Sequence, residues 1–104
     1  MNSKEFAELY HKAVLDGCKT LGDFSSYFAS EHPIKVSSAQ DIISHRWYST
    51  AVDVYFVEDA FLGIRAGYQL FTESAWWSDI EVDEPELLKY KAKQTISYVR
   101  DYDN

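Results

Sequence analysis

Residues 73–86 combine two adjacent tryptophans with a run of carboxylates, a combination typical of protein-binding surfaces. The members are Glu73, Trp76, Trp77, Asp79, Glu81, Asp83, Glu84 and Glu86. Adjacent side chains of an extended segment point to opposite sides, so we expect at least one tryptophan to be exposed or at an edge. Exposed tryptophan is enriched at interface hot spots, and flanking acids steer a basic partner towards it. The alternative is that one tryptophan caps the core while the other lies under the N-terminal helices.

Other kinds of chemistry find less support in the sequence. Asp79, Glu81 and Asp83 alternate as calcium ligands do, but the glycine and the final bidentate glutamate of the standard calcium loop are not at their required positions. The histidines have no spacing typical of zinc ligands, and the single cysteine cannot complete such a site. No nucleophile elbow and no phosphate-binding glycine loop occurs. We therefore expect no metal, no cofactor and no enzymatic activity.

The charge distribution favours a basic partner. The net charge is −7, and the stretch from Asp53 to Glu86 holds nine acids against one base, Arg65. Direct nucleic-acid binding needs many basic groups to neutralise phosphates, so we expect none here. An acidic surface instead attracts basic proteins, which often bind nucleic acid themselves. The alternative is that the acids only keep the protein soluble.

Size and composition predict a single cytoplasmic domain, residues 1–104. The single cysteine, Cys18, excludes an internal disulfide and is compatible with a reducing compartment, and we expect it to be a buried structural thiol. The first residues carry Lys, Glu and Asp throughout, which is unlike a secretory signal. No apolar run approaches the ~20 residues that span a bilayer.

A β-hairpin at residues 47–57 and 61–72 is the strongest structural signal. The even positions of both strands are mostly apolar, so we expect them to face the core, with Phe56 opposite Leu62 across a turn of three or five residues. The odd positions, including Asp53 and Tyr55, should then form an outer face that supports partner binding.

The remaining elements complete a predicted α+β fold. Helical spacing of apolar residues predicts N-terminal helices at about 3–20, 21–31 and 38–45, the last with a Ser-x-x-Asp spacing that resembles a capping box. Residues 87–100 fit a third strand, because Thr95, Ile96, Tyr98 and Val99 favour strand, although a helix has comparable local support. The expected architecture is helices packed on a small antiparallel sheet.

Residues 46–99 resemble small uncharacterised acidic proteins of tailed phages and prophages. The shared order is Arg46-Trp47-Tyr48, a hairpin, Phe71-Thr72-Glu73-Ser74, Ser78-Asp79 and a terminal Ile96-Ser97-Tyr98-Val99. This chain departs from the pattern at Ala75-Trp76-Trp77 and in the acidic stretch 81–86. The resemblance implies an α+β topology and a phage setting, and by analogy an anti-defence role such as anti-CRISPR inhibition.

The leading expectation is a non-enzymatic phage accessory protein that binds and inhibits a host protein through its acidic, aromatic surface. A winged-helix DNA-binding regulator is the first alternative, with 38–45 as its recognition helix, although that helix would have no basic residue. A small phage assembly protein that forms a homodimer through a sheet edge is the second.

Overall fold

The computed structural model describes residues 1–72 and 75–91, which form two helices packed on a four-stranded antiparallel sheet. The elements in chain order are helix α1 (Ser3–Leu15), helix α2 (Leu21–Phe28), strands β1 (Ile34–Ser44), β2 (Tyr48–Val57) and β3 (Ala60–Leu70), a 3₁₀ turn (Trp77–Asp79) and strand β4 (Glu86–Tyr90). The strands follow one another across the sheet in chain order. The predicted α+β fold is confirmed.

Local caps set the limits of the helices. The Glu5 N–H donates to the Asn2 side chain at 2.9 Å, and the Asn2 N–H donates to the Glu5 carboxylate at 3.0 Å. This reciprocal pair satisfies two helix donors. Helix α1 ends at Leu15, earlier than expected, because Gly17 adopts a left-handed φ of 98° and closes the last turn. Helix α2 begins with a second reciprocal cap and is shorter than the expected 21–31.

Strand β1 lies at one edge of the sheet, so the helix predicted at 38–45 is wrong. The Ser-x-x-Asp spacing falls in an irregular strand, where Ala39 and Asp41 have left-handed φ values of 50° and 51°. Three register shifts interrupt the pairing of β1 with β2. Asp53 of β2 holds this stretch, because its buried carboxylate accepts from the Ala39 N–H at 2.9 Å and pairs with the Lys35 ammonium at 3.2 Å. Long-range pairing therefore overrides a local helix signal.

The predicted hairpin is confirmed, but its predicted register holds only at the open end. There Tyr48 pairs with Leu70, as expected. Further along, Thr50 pairs with Gly67, so Tyr68 is an extra residue on β3 and forms a bulge. Every pair between the bulge and the turn is shifted by one residue from the prediction.

The shifted register reverses the predicted faces of β2. Val57 pairs with Ala60, so the turn has two residues, Glu58 and Asp59, and not three or five. Tyr55 is 2% exposed and packs against the helices, whereas Phe56, predicted to face the core, is 40% exposed. Asp53 is buried as well. The prediction that Asp53 and Tyr55 form an outer contact face is therefore wrong.

The main core lies between the helices and one face of the sheet. Its larger members are Phe6, Tyr10, Leu21, Phe24, Phe28, Tyr55, Val57, Leu62 and Ile64. The Phe28 ring lies 5.3 Å from that of Phe6 and 5.6 Å from that of Tyr55, so aromatic rings of both helices and of β2 meet at one point. Such ring pairs add to the stabilisation from apolar burial.

Strand β4 confirms that the predicted third strand begins as a strand and not as a helix. It pairs with β3 from Phe61 opposite Tyr90 to Arg65 opposite Glu86. The rest of the predicted strand, residues 92–100, lies outside the described residues. The Tyr90 ring covers Gly63, where an added Cβ would lie 2.5 Å from a ring carbon. A glycine therefore allows the aromatic ring to lie against the sheet.

Candidate functional site

Trp77 anchors residues 75–86 on the sheet face opposite the helices. Its ring lies over Gly67, where an added Cβ would be only 2.7 Å from the ring atom Cζ3. The same ring meets Tyr48 edge to face at 6.2 Å, and the Asp83 N–H donates to the Tyr48 hydroxyl at 3.4 Å. The hairpin thus fixes the position of the acidic segment through one glycine and one tyrosine.

The two tryptophans have different environments, as expected for adjacent residues. Trp77 is half-buried, whereas Trp76 is 76% exposed. The Trp76 N–H donates to Asp79 Oδ2 at 3.0 Å, which closes the 3₁₀ turn. This bond orients the exposed ring without covering it.

A groove of about 620 Å³ separates the β1–β2 turn from residues 75–81, and we call it the aromatic groove. The side chains that define it are His45, Arg46, Trp47, Tyr48, Asp79 and Glu81. The His45 ring stacks on that of Tyr48 at 4.4 Å, and the Arg46 guanidinium lies 4.9 Å from the centre of the Trp47 ring. Its volume is within the range of ligand-binding clefts.

Acidic side chains continue from the groove towards strand β4. Asp79 and Glu81 line the groove, and Asp83, Glu84 and Glu86 follow them along the chain, all five exposed. Burial, together with the carboxylates of Glu86 and Glu84, raises the pKa of Tyr10 on helix α1.

The structure brings together most, but not all, of the predicted contact residues. The tryptophans and the acids from Asp79 to Glu86 share one segment, whereas Glu73 lies outside the described residues. Asp53 and Tyr55 are buried, and burial raises the pKa of Tyr55 to about 12. Neither is available to a partner.

The wall of the groove formed by the β1–β2 turn is not among the contact residues predicted from the sequence. The predicted register, with Phe56 opposite Leu62, also places Trp47 opposite Phe71, at the end of the second strand of the hairpin. The Phe71 N–H does donate to the Trp47 carbonyl at 2.9 Å. Because residue 75 follows Phe71 closely in the chain, this pairing was the signal that the two walls are neighbours.

A second groove of about 430 Å³ lies on the same sheet face, beside strand β4. Its polar side chains bond to one another. The Tyr90 hydroxyl donates to Asp41 at 2.9 Å, and the Ser37 hydroxyl lies 2.7 Å from the Gln40 side-chain oxygen. Burial, together with the Tyr90–Asp41 bond, raises the pKa of Tyr90. Bonds among its own side chains therefore occupy several of the polar groups of this groove.

Two nucleophilic groups, the Ser25 hydroxyl and the Cys18 thiol, have surroundings that favour structural roles. The Lys35 ammonium donates to the Ser25 hydroxyl at 2.7 Å and pairs with Asp53, so this lysine is a donor and not a base for the serine. Cys18 is buried, and burial with the carboxylates of Asp23 and Asp16 raises its pKa. A raised pKa keeps the thiol in its unreactive form.

Two further findings concern residues 1–72 and 75–91 only. No cluster of His, Cys, Asp or Glu side chains there is arranged to hold a metal ion. No helix there has the length and apolar character needed to cross a membrane.

Comparison with protein-family models, with curated proteins and with solved structures finds no match to this chain.

Proposed function

We propose that this protein is a non-enzymatic accessory protein that binds and inhibits another protein through the aromatic groove and the exposed acids of residues 75–86. The exposure of Trp76 is the observation that carries the proposal. A large aromatic side chain left in water gains stability when a partner covers it, and tryptophan dominates many interface hot spots. The fold holds the Trp76 backbone in place through Asp79, so the ring is presented from an ordered turn.

The partner we propose is a host protein with a basic, nucleic-acid-binding surface. Five exposed carboxylates lie between Asp79 and Glu86, and no Lys or Arg occurs among residues 66–88. Such a field speeds association with a basic surface and disfavours acidic partners. The resemblance of residues 46–99 to phage proteins supports a phage setting in the bacterial cytoplasm, and an anti-CRISPR role in which the target is a nucleic-acid-binding CRISPR effector.

The two alternatives fit the structure less well. A winged-helix regulator needs a recognition helix at 38–45, and these residues belong to strand β1 and the turn after it. A homodimer through a sheet edge finds an irregular strand at β1, where three register shifts and two left-handed residues interrupt the pairing, which leaves β4 as the more regular edge. Bulges of this kind protect sheet edges from pairing with other chains.

The experiment is capture of partner proteins from bacterial lysate, followed by binding kinetics with the captured protein. We expect Trp76→Ala to weaken binding by roughly tenfold or more, as truncation of a hot-spot tryptophan does. The matched control is Leu15→Ala, because Leu15 is 86% exposed but lies on helix α1. Equal binding by wild type and Trp76→Ala would contradict the proposal.

A second pair of variants tests the acids. Glu81→Lys with Glu84→Lys should slow association and reduce its dependence on salt. Glu8→Lys with Glu31→Lys makes the same change in net charge at exposed positions of the helical layer, and we expect a smaller effect. If both double variants slow association equally, net charge alone matters and the acidic segment is not the contact surface.

A further inference from the structure

The aromatic groove already contains a stacked guanidinium. Arg46, an exposed residue of the β1–β2 turn, places its guanidinium 4.9 Å from the centre of the Trp47 ring. This is a cation–π arrangement, which arginine adopts more often than lysine. Among residues 1–72 and 75–91, Arg46 has no carboxylate within ion-pair distance, so the ring is its main partner.

The acids of the groove have no cation either. Asp79 and Glu81 line the groove, and neither forms an ion pair in the described part of the chain. An aromatic face and two carboxylates therefore border one space. A planar guanidinium is the side-chain group that uses both, because it stacks on an aromatic ring and donates in parallel to a carboxylate.

We propose that the aromatic groove binds an arginine side chain of the partner protein. This inference rests on the proposed function and states which group the partner presents. The volume of about 620 Å³ accommodates an arginine together with flanking backbone. A lysine ammonium is compact and strongly hydrated, so it gains less from the ring of Trp47.

Arg46 then occupies the ring face that an incoming arginine uses. It also places a like charge in the groove. The Arg46→Ala substitution removes this competitor, and an exposed cation–π contact corresponds to about a two- to fivefold change in affinity. Loss of the like charge strengthens binding of lysine and arginine peptides alike, so the diagnostic result is a larger gain for the arginine peptide, which alone competes with Arg46 for stacking on the ring.

The test uses two capped peptides of equal length and charge, with either arginines or lysines at the same positions between glycines. Each is titrated into the isotope-labelled full chain and followed by the NMR signal of the Trp47 indole N–H. We expect the arginine peptide to bind several-fold more tightly than the lysine peptide. Arg46→Ala should tighten arginine binding about two- to fivefold. Glu81→Gln should weaken it, whereas Glu84→Gln, outside the groove, should change it less.

Equal affinity for the two peptides, no binding of either, or unchanged or weaker binding to Arg46→Ala overturns the inference. These outcomes are separable from failure of the proposed function. If Trp76→Ala abolishes partner capture while the peptides show no preference for arginine, the protein-binding function stands and the arginine inference fails. If arginine peptides bind the groove but Trp76→Ala leaves partner capture unchanged, the arginine inference stands and the proposed function fails.

Discussion

The two faces of the sheet are both covered at strand β2, but by different means. On one face, two capped helices bury Ala51, Tyr55 and Val57 with many aromatic side chains. On the other face, Val52 and Val54 are buried although neither described helix packs on that face. Single rings cover that face at two glycines, with Tyr90 over Gly63 and Trp77 over Gly67.

In our proposal, this difference separates the residues that stabilise the fold from those that bind a partner. The helical face is held by many buried aromatic side chains and by two capped helices. The opposite face depends on a few rings, and the aromatic groove with its acids lies on that side. Elements with few buried contacts open at lower free energy than the core, and binding sites are often found among them. We therefore expect substitutions on the helical face to change mainly stability, and substitutions on the opposite face to change mainly partner binding.

Phe28→Ala gives the largest expected effect on stability. The Phe28 ring is buried between Phe6, Phe24 and Tyr55. Its truncation should lower the free energy of unfolding by about 3–5 kcal/mol, because it removes apolar burial and leaves a cavity. Urea denaturation measures this. At temperatures where the variant is still folded, partner binding should be close to wild type, and a specific loss of binding would contradict the separation of the faces.

The extent to which the sequence determines this arrangement differs between the elements. The hairpin, the two N-terminal helices and the separation of Trp76 from Trp77 are local patterns, and the sequence predicts them. The faces of β2 are not decidable from periodicity, because Val52 and Val54 are as apolar as Ala51 and Tyr55. A strand covered on both sides has no polar side to mark its register.

Two long-range features explain the remaining errors. The bulge beside Gly67 shifts the hairpin by one residue, and an isolated glycine within a strand was its only sign in the sequence. Strand β1 depends on the carboxylate of Asp53, which lies far from it in the chain. The run of acids in the sequence predicts the acidic wall of the groove. Arg46 and Trp47 are distant from these acids in the sequence, and only the fold brings them to the same groove.

Gly67→Ala gives a moderate loss of stability and, in our proposal, a large loss of partner binding. The new Cβ would meet the Trp77 ring at 2.7 Å, so the ring and the acidic segment must move. Overpacking of this kind costs about 1–3 kcal/mol. The matched control is Gly22→Ala on helix α2, where the nearest atom to the new Cβ is 3.8 Å away. We expect that control to stabilise the protein by up to about 1 kcal/mol. Comparable loss of partner binding in both variants would contradict the prediction that Gly67 positions the Trp77 ring and the acidic segment for binding.

Substitution of Asp59 should have the smallest effect on stability. Asp59 lies at the turn end of the hairpin, which is hydrogen-bonded to helix α1, whereas the aromatic groove lies at the open end. The Asp59 carboxylate accepts from the Ser3 N–H and from the Ser3 hydroxyl, both at 2.9 Å. These bonds lower the pKa of Asp59 below its ordinary value. A lowered pKa in the folded state stabilises the protein above the pKa of the unfolded state, and this stabilisation is lost as the pH falls through the folded-state pKa.

Asp59→Asn should therefore destabilise the protein at about pH 7, and its difference from wild type should shrink as the pH falls below about 4. Urea denaturation at several pH values measures the difference, with Glu31→Gln as a control that removes an exposed carboxylate charge. Because the Asp59 carboxylate is exposed, solvent screens the interaction and the effect should be weaker than those of Phe28→Ala and Gly67→Ala. Partner binding should not change, since Asp59 lies at the opposite end of the hairpin from Trp47. A difference that stays constant with pH would mean that Asp59 acts through its shape and not through its charge.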